Sequence, residues 1–194
     1  MNDSVRPESN PDVEITAALL RGRRTINLFE AEPVDQTVLL DAIEVARWAP
    51  NHKLTEPWRF YLLGNATTAQ AIDCWASYEA KTRGDKVGAA RRQRLRGVPG
   101  HFLVTSLRDE SEVLDLENYA ATCCAIQNLM LYLWQRGVGV KWTSGQITRE
   151  QSLYDVVGID SSAERIVGYF WYGIPKVVAD QSRKAVEEIS VTLP

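Results

Sequence analysis

Residues 119–134 read Tyr-Ala-Ala-Thr-Cys-Cys-Ala-Ile-Gln-Asn-Leu-Met-Leu-Tyr-Leu-Trp and give the strongest helix signal in the chain. They lie within a predicted helix over 112–136, which Gly137 and Gly139 end. Apolar side chains occupy nearly every side of this helix, so it lacks a clear polar face and must be buried on most sides. In a chain of 194 residues, this predicts a central helix that a second subunit partly covers.

Shorter helices and strands flank this helix in a mixed order. Hydrophobic periodicity predicts helices over 13–22, 35–49, 66–83 and 148–157, and strands over 58–63, 102–107, 138–142 and 165–172. Because these elements do not alternate strictly as βαβ units, the predicted fold class is α+β rather than a doubly wound sheet. The last twenty residues are polar and are expected to form an arm that reaches over a partner.

Composition indicates one ordinary globular domain over 13–194. The chain is 45% apolar and 24% charged, and its net charge of −3 argues against a dedicated nucleic-acid binder. Residues 1–12 are polar and hold two prolines, which predicts a disordered tail rather than a secretory signal. Three cysteines, two of them adjacent, do not form a disulfide framework. We therefore expect a reducing, cytoplasmic location.

The familiar catalytic and cofactor motifs are absent from the sequence. It contains no Gly-x-Gly-x-x-Gly, no Gly-x-x-x-x-Gly-Lys-Ser/Thr and no Gly-x-Ser-x-Gly, which disfavours a Rossmann site, a P-loop and a hydrolase elbow. The only histidines are His52 and His101, and no zinc-binding spacing occurs, so no metal site is expected.

Two distant segments offer groups that suit a phosphorylated ligand. Arg23-Arg24-Thr25 follows the first predicted helix, and arginine binds phosphate through a planar fork of donors. The structural alternative is a helix end whose cations suit the helix dipole. Trp142-Thr143-Ser144 precedes Gly145 at a strand end, where small side chains let backbone N–H groups approach a ligand. The alternative there is a simple strand-to-helix turn.

Two further features carry more than one interpretation. Trp48 and His52 flank Pro50, and a histidine in such a turn either donates to an anionic or carbonyl group or is simply solvated. The basic segment 86–97 is either a solvated helix face or an attractor for an anionic substrate or dinucleotide. The same arginines are candidates for a 2′-phosphate contact.

Taken in order, these pieces resemble the FMN-dependent nitroreductase family over roughly residues 13–176, and look most like its YdjA-like branch. The matching motifs are Arg23-Arg24-Thr25, Ala49-Pro50, Pro57-Trp58-Arg59-Phe60, Ala125-Ile126-Gln127-Asn128-Leu129, Gly137-Val138-Gly139-Val140-Lys141-Trp142 and Val167-Gly168-Tyr169-Phe170-Trp171-Tyr172-Gly173-Ile174-Pro175.

The resemblance implies an α+β homodimer with a central, mostly antiparallel sheet flanked by helices and with FMN at the subunit interface. It implies that the predicted helix 112–136 is the dimer-core helix. The cofactor-binding positions that it implies are Arg23, Arg24 and Thr25 on one side of the FMN phosphate and ribityl chain, Trp142, Thr143 and Ser144 on the other side, and Trp48 and His52 from the partner subunit. Leu54 and Glu56 stand where many members carry Asn and Gln, so Lys53 or a backbone group would replace that ring contact.

The implied activity is hydride transfer from NAD(P)H through FMN to a nitroaromatic, a quinone or an unknown small acceptor, with ping-pong kinetics and no catalytic side chain. Three other functions remain open at this point. These are an FMN-binding or storage module, another flavin reaction on the same fold such as dehalogenation or dehydrogenation, and an interaction protein whose apolar helix is only a dimer interface.

Overall fold

A computed structural model describes residues 12–194 of the chain. The predicted tail, 1–12, lies outside the described residues except for Asp12. The helices are α1 (Val13–Gly22), α2 (Gln36–Ala46), α3 (Asn65–Arg83), α4 (Asp85–Arg96), α5 (Glu112–Gln135) and α6 (Gln151–Val157). The strands are β1 (Trp58–Leu62), β2 (Gly100–Leu107), β3 (Gly139–Thr143) and β4 (Glu164–Gly173). Within residues 12–194, none of the helices has both the length and the apolar character needed to cross a membrane.

Helix α5 begins at the predicted residue and ends one residue before the predicted 136, and local chemistry sets both of its ends. Ser111 caps its first turn by accepting a hydrogen bond from the Leu114 backbone N–H at 3.4 Å. Gly137, with φ of 75°, provides the left-handed turn that ends it. Its second half is buried through Ala125, Ile126, Leu129 and Leu133, while Val113, Leu116, Ala120 and Cys124 leave an exposed stripe on the first half.

The four strands form one antiparallel sheet in the order β1-β2-β4-β3, which confirms the predicted α+β class. Its two long strands are central, and β2 is buried along almost its whole length. Phe102 of β2 lies opposite Phe170 of β4, and their rings stack with centroids 4.6 Å apart. The sheet is therefore fixed at its centre by large side chains.

The two faces of the sheet carry separate cores. Helices α2 and α5 cover one face, where Phe102 and Phe170 pack with Leu129. Side chains from α3, α4 and α6 pack on the other face, against Tyr169 and Trp171. Adjacent residues of β4 point to opposite faces, as the strand repeat requires.

Two predicted segments differ in detail from the structure. The helix expected over 148–157 is a 3-10 turn, Gln146–Arg149, followed by α6. The basic segment expected at 86–97 lies on α4, which packs closely against α3.

Candidate functional site

The two distant segments that the sequence singled out are neighbours in the fold. Thr25 forms a parallel bridge to Val140 of β3, and the Ile26 backbone N–H donates to the Val140 carbonyl at 3.2 Å. The end of α1 is thereby fixed beside the strand that leads into Trp142-Thr143-Ser144. Backbone pairing therefore holds these two segments side by side.

Three arginines surround a cavity of about 170 Å³ next to this bridge. Arg23 and Arg24 come from the end of α1, and Arg183 comes from the C-terminal segment. None of the described residues that line the cavity is acidic. Burial, and then the charges of Arg183 and Arg24, lower the pKa of the Arg23 guanidinium. Like charges gathered without a counter-charge favour binding of an anion.

Arg24 also binds backbone carbonyls at the end of α1, as the structural alternative predicts. One of its terminal nitrogens donates to the carbonyls of Arg21 and Arg23. Both interpretations from the sequence therefore apply to Arg24. Its guanidinium has several N–H donors, so some can bind the helix carbonyls while others remain for a ligand in the cavity.

Arg183 lines the arginine cavity, and the sequence analysis did not assign it to a site. Nothing in the polar C-terminal pattern distinguishes it from its neighbours, and only the path of the chain brings it to Arg23. The available signal was weak: a cation in the tail of a protein suspected of holding a phosphate.

A second cavity, of about 440 Å³, has a lining residue that is hydrogen-bonded to a lining residue of the first. Asn27 lines the arginine cavity, and its side-chain oxygen accepts a hydrogen bond at 2.6 Å from the Lys141 ammonium, which lines the second cavity. Arg94 donates to the same oxygen at 3.4 Å. Residues that line the two cavities are thus hydrogen-bonded to each other, and we call the two cavities together the cationic trough.

Three buried polar atoms of the second cavity have no hydrogen-bond partner among residues 12–194. They are the Arg91 Nε, the Thr143 Oγ1 and the Trp171 Nε1 atoms. Buried polar groups are nearly always paired, because an unpaired one costs about 1–3 kcal/mol. Their residues all line the second cavity, so this wall of the cavity is where hydrogen bonds within the protein are missing.

The charges of the second cavity are mostly positive. Arg83, Arg91 and Lys141 line it, and Glu79 is the only carboxylate among its described lining residues. Burial would raise the pKa of Glu79, but hydrogen bonds and charge from Arg91 and Arg83 outweigh burial and lower it. Burial, and then Arg94 and Arg91, lower the pKa of Lys141.

Aromatic rings form the wall of this cavity. The buried Trp171 ring has Lys141 on it at 4.8 Å and Arg94 at 5.2 Å from its centroid. Arg91 lies over Trp75 at 4.9 Å. Cations held on aromatic faces keep a fixed position while their charge remains available to a ligand.

The basic helix α4 divides its arginines between two tasks. Arg92 forms an ion pair with Asp73 of α3 at 2.7 Å, and Arg96 lies 3.7 Å from the same carboxylate. Arg91 instead lines the second cavity and pairs with Glu79, and Arg94 lies over Trp171 and donates to Asn27. The segment is therefore neither a purely solvated face nor a uniform anion attractor.

The three consecutive residues at the end of β3 point in different directions. Thr143 lines the second cavity, whereas Ser144 lines a third cavity of about 560 Å³. The indole of Trp142 lies on the α5 face of the sheet, where its Nε1 donates to the Val167 carbonyl at 3.1 Å. Alternation along the strand points Thr143 away from its two neighbours, and the expected FMN contacts of Trp142 and Ser144 stay predictions.

Trp48 and His52 line none of these cavities within the protomer. Trp48 follows α2 with 75% of its surface exposed, and His52 is exposed in a 3-10 turn. Their expected contact with FMN is from a partner subunit, so it stays a prediction.

The turn after His52 has a strained backbone. Lys53 and Leu54 both have φ of 52°, and Glu56 has φ of 42°, a region that side-chain-bearing residues rarely adopt. Asn51 holds the turn by accepting a hydrogen bond from the Glu56 backbone N–H at 2.9 Å. Leu54 is 82% exposed. Such strain persists where the surrounding structure enforces it, often at functional sites.

Comparison with known proteins gives matches over most of the chain. Residues 20–174 match the sequence model of the Nitroreductase family. A Bacillus subtilis (strain 168) protein named "Putative NAD(P)H nitroreductase YfhC" is 36% identical over 161 residues, which are 81% of this chain and 82% of that protein.

Solved structures share the fold. A nitroreductase-like family protein from Bacillus cereus superimposes with a TM-score of 0.81 at 26% identity, covering 98% of this chain and 99% of its own. The FMN-dependent nitroreductase NfnB from Mycobacterium smegmatis, solved in complex with NADPH, gives a TM-score of 0.79 at 14% identity, with 95% and 100% coverage.

Proposed function

This chain belongs to the nitroreductase family, and from that premise we propose that it is an FMN-dependent oxidoreductase that uses NAD(P)H to reduce a small acceptor. The acceptor class is a nitroaromatic, a quinone or another small electron-poor molecule. The YdjA-like branch remains a proposal, supported by the sequence motifs alone.

The cationic trough is the observation that carries this function. Its arginine cavity supplies Arg23, Arg24 and Arg183 for a phosphate, which arginine binds bidentately. Its second cavity is larger, and Trp75 and Trp171 line it. Such aromatic side chains suit a ligand with an aromatic ring system. An anionic group at one end and a flat ring with polar edges at the other end describe FMN.

The unpartnered atoms of the trough fit the flavin ring. A flavin carries both carbonyl acceptors and a ring N–H donor. The N–H groups of Arg91 and Trp171 would donate to such acceptors, and the Thr143 hydroxyl can donate or accept. These three residues and Lys141 would hold the ring, while the arginine cavity would hold the phosphate.

Bound FMN would supply the redox chemistry, taking up electrons from NAD(P)H and passing them to the acceptor. The side chains bind, orient and stabilise charge. Arg91 and Lys141 line the second cavity and would stabilise the negative charge of a reduced ring bound there. Glu79 is ion-paired with Arg83 and Arg91 at 3.1 and 3.0 Å, which keeps it ionised rather than available as a proton donor.

We propose that the active form is a homodimer with FMN at the interface. The exposed apolar stripe of α5, with Val113, Leu116 and Cys124, suits a contact between two copies. The C-terminal segment supports the same arrangement, since Val186, Ile189, Val191 and Leu193 are 67–85% exposed in the protomer. In such a dimer, Trp48 and His52 would reach the flavin of the other subunit.

A cytoplasmic location is part of the proposal. Cys74, Cys123 and Cys124 are all free thiols, which suits a reducing compartment. NADH and NADPH, the proposed electron donors, would then come from the same compartment.

Anaerobic mixing of the purified yellow protein with NADH or NADPH tests the proposed reaction. We expect the absorbance of the bound oxidised flavin to bleach faster than that of free FMN. Addition of a nitroaromatic or a quinone should restore it, with ping-pong kinetics in steady state. A flavin that bleaches no faster than free FMN would favour a storage module.

A further inference from the structure

We infer that the third cavity binds a small organic anion, a ligand separate from the flavin. The cavity has a volume of about 560 Å³ and lies between the start of α5, the 3-10 turn Gln146–Arg149, α6 and the start of β4. Arg108, Arg149 and Arg165 line it. No Asp or Glu lines it within residues 12–194.

The three guanidinium groups differ in the hydrogen bonds and ion pairs that they already make within the protein. Arg165 forms an ion pair with Asp115. Arg108 uses its Nε to donate to the Ser161 carbonyl at 3.0 Å, which fixes the side chain at the cavity. The Arg149 side chain is exposed and makes no hydrogen bond or ion pair within residues 12–194. Arg108 and Arg149 therefore keep donors for a ligand oxyanion.

The size and walls of the cavity point to an organic molecule rather than a bare ion. Its volume lies within the range of about 300–1,000 Å³ typical of small-molecule sites. Ile166 and Val167 add apolar surface, and Tyr154 forms a rigid wall because its hydroxyl accepts from the Ile166 backbone N–H at 2.9 Å. The ligand is thus a small molecule that carries a carboxylate or a phosphate.

The loop between β3 and α6 separates this third cavity from the second cavity, where we propose that the flavin ring binds. Thr143 and Gly145 line the second cavity, while Ser144 and Arg149 line the third cavity. The Thr148 hydroxyl donates to the Gly145 carbonyl at 2.9 Å and holds the loop together. An anion bound to Arg149 would therefore contact the same loop that lines the second cavity on its other side.

The test is a calorimetric titration of the FMN-saturated protein with succinate and with glycerol 3-phosphate. Both probes are aliphatic, so neither stacks on a flavin, and bound FMN occupies the arginine cavity. Sodium chloride at equal ionic strength is the blank. We expect saturable binding of at least one probe, with one site per chain. The probe that binds more tightly identifies the anionic group as a carboxylate or a phosphate.

Matched variants locate the binding. Arg149→Gln and Arg108→Gln should each weaken binding by about fivefold or more, because a charge-assisted contact is lost. Lys86→Gln removes the same charge from an exposed position on α4 and should leave binding unchanged. All three variants should keep the flavin content of the parent protein. Heats no larger than those of sodium chloride, or equal binding by Arg149→Gln and Lys86→Gln, would overturn the inference.

Discussion

The two faces of the central sheet differ in how completely their polar groups are paired. On the α5 face, Phe102, Phe170 and Leu129 form an apolar core. On the opposite face, the Tyr169 and Trp171 core borders the cationic trough, and the buried atoms that lack partners among residues 12–194 all line it. Both faces carry an apolar core, but only the opposite face also borders a cavity whose lining residues hold unpaired buried atoms, which is why we propose that face for ligand binding.

The largest expected effect is on the α5 face. Phe170→Ala removes a fully buried ring that stacks on Phe102, and we expect it to lower the free energy of unfolding by about 3–5 kcal/mol. Urea denaturation followed by circular dichroism measures the change. The folded fraction should still bind FMN, because Phe170 lines neither part of the trough. Loss of FMN binding with stability unchanged would reverse the roles assigned to the two faces.

Acid should weaken the trough face through His101. This buried histidine accepts a hydrogen bond from the Tyr169 hydroxyl at 3.1 Å and donates to the Leu95 carbonyl at 3.2 Å, and burial lowers its pKa to about 4. Between pH 6.5 and 4 the unfolded chain binds this proton and the folded chain does not. Stability is therefore full above pH 6.5 and falls by up to about 3 kcal/mol as the pH drops towards 4.

Urea denaturation at pH 7, 6 and 5 measures that dependence. His101→Gln should make the stability curve flatter over this range, although carboxylate groups contribute a slope of their own. An unchanged slope in His101→Gln would show that another group causes the acid sensitivity.

Arg183 connects the C-terminal segment to the phosphate end of the trough. Arg183→Gln should weaken FMN binding by about tenfold, equal to about 1.4 kcal/mol, because one charged phosphate contact is lost. Arg21→Gln is the control, since Arg21 is exposed and lines neither cavity of the trough. Fluorescence quenching of FMN gives both affinities. Equal affinities for the two variants would remove Arg183 from the site.

The smallest effect compares two threonines, the half-buried Thr143 and the buried Thr122. Thr143→Val removes an unpartnered hydroxyl, so the FMN-free protein should become more stable by up to about 1 kcal/mol while FMN affinity falls several-fold. Thr122→Val, on α5, removes a hydroxyl that donates to the Asn118 carbonyl at 2.9 Å, and it should destabilise the protein without changing FMN affinity. Destabilisation by both variants would mean that Thr143 has a partner within the protein.

The sequence predicted the helices and strands well because their signals are local. The ends of α5 depend on Ser111 and Gly137, and β4 is a continuous apolar run. The break between the 3-10 turn Gln146–Arg149 and α6 was not predicted, because both pieces are short and share one helical pattern.

The site was less predictable because it depends on tertiary contacts. Arg23 and Thr143 were identified through a family resemblance, and the bridge from Thr25 to Val140 explains why these two segments meet. Lys141 and Arg183 carry no sequence signal of their own, since only chain topology brings them to the trough. The roles of Trp48 and His52 depend on a partner subunit and stay predictions.

Titration of the flavin-free protein with FMN and with riboflavin tests the central claim most directly, because the two ligands differ only by the phosphate. We predict that FMN binds about a hundredfold more tightly than riboflavin, and that the double variant Arg23→Ala with Arg24→Ala loses at least tenfold of that preference. Equal affinity for both ligands, or an unchanged preference in the double variant, would contradict the assignment of the arginine cavity to the FMN phosphate.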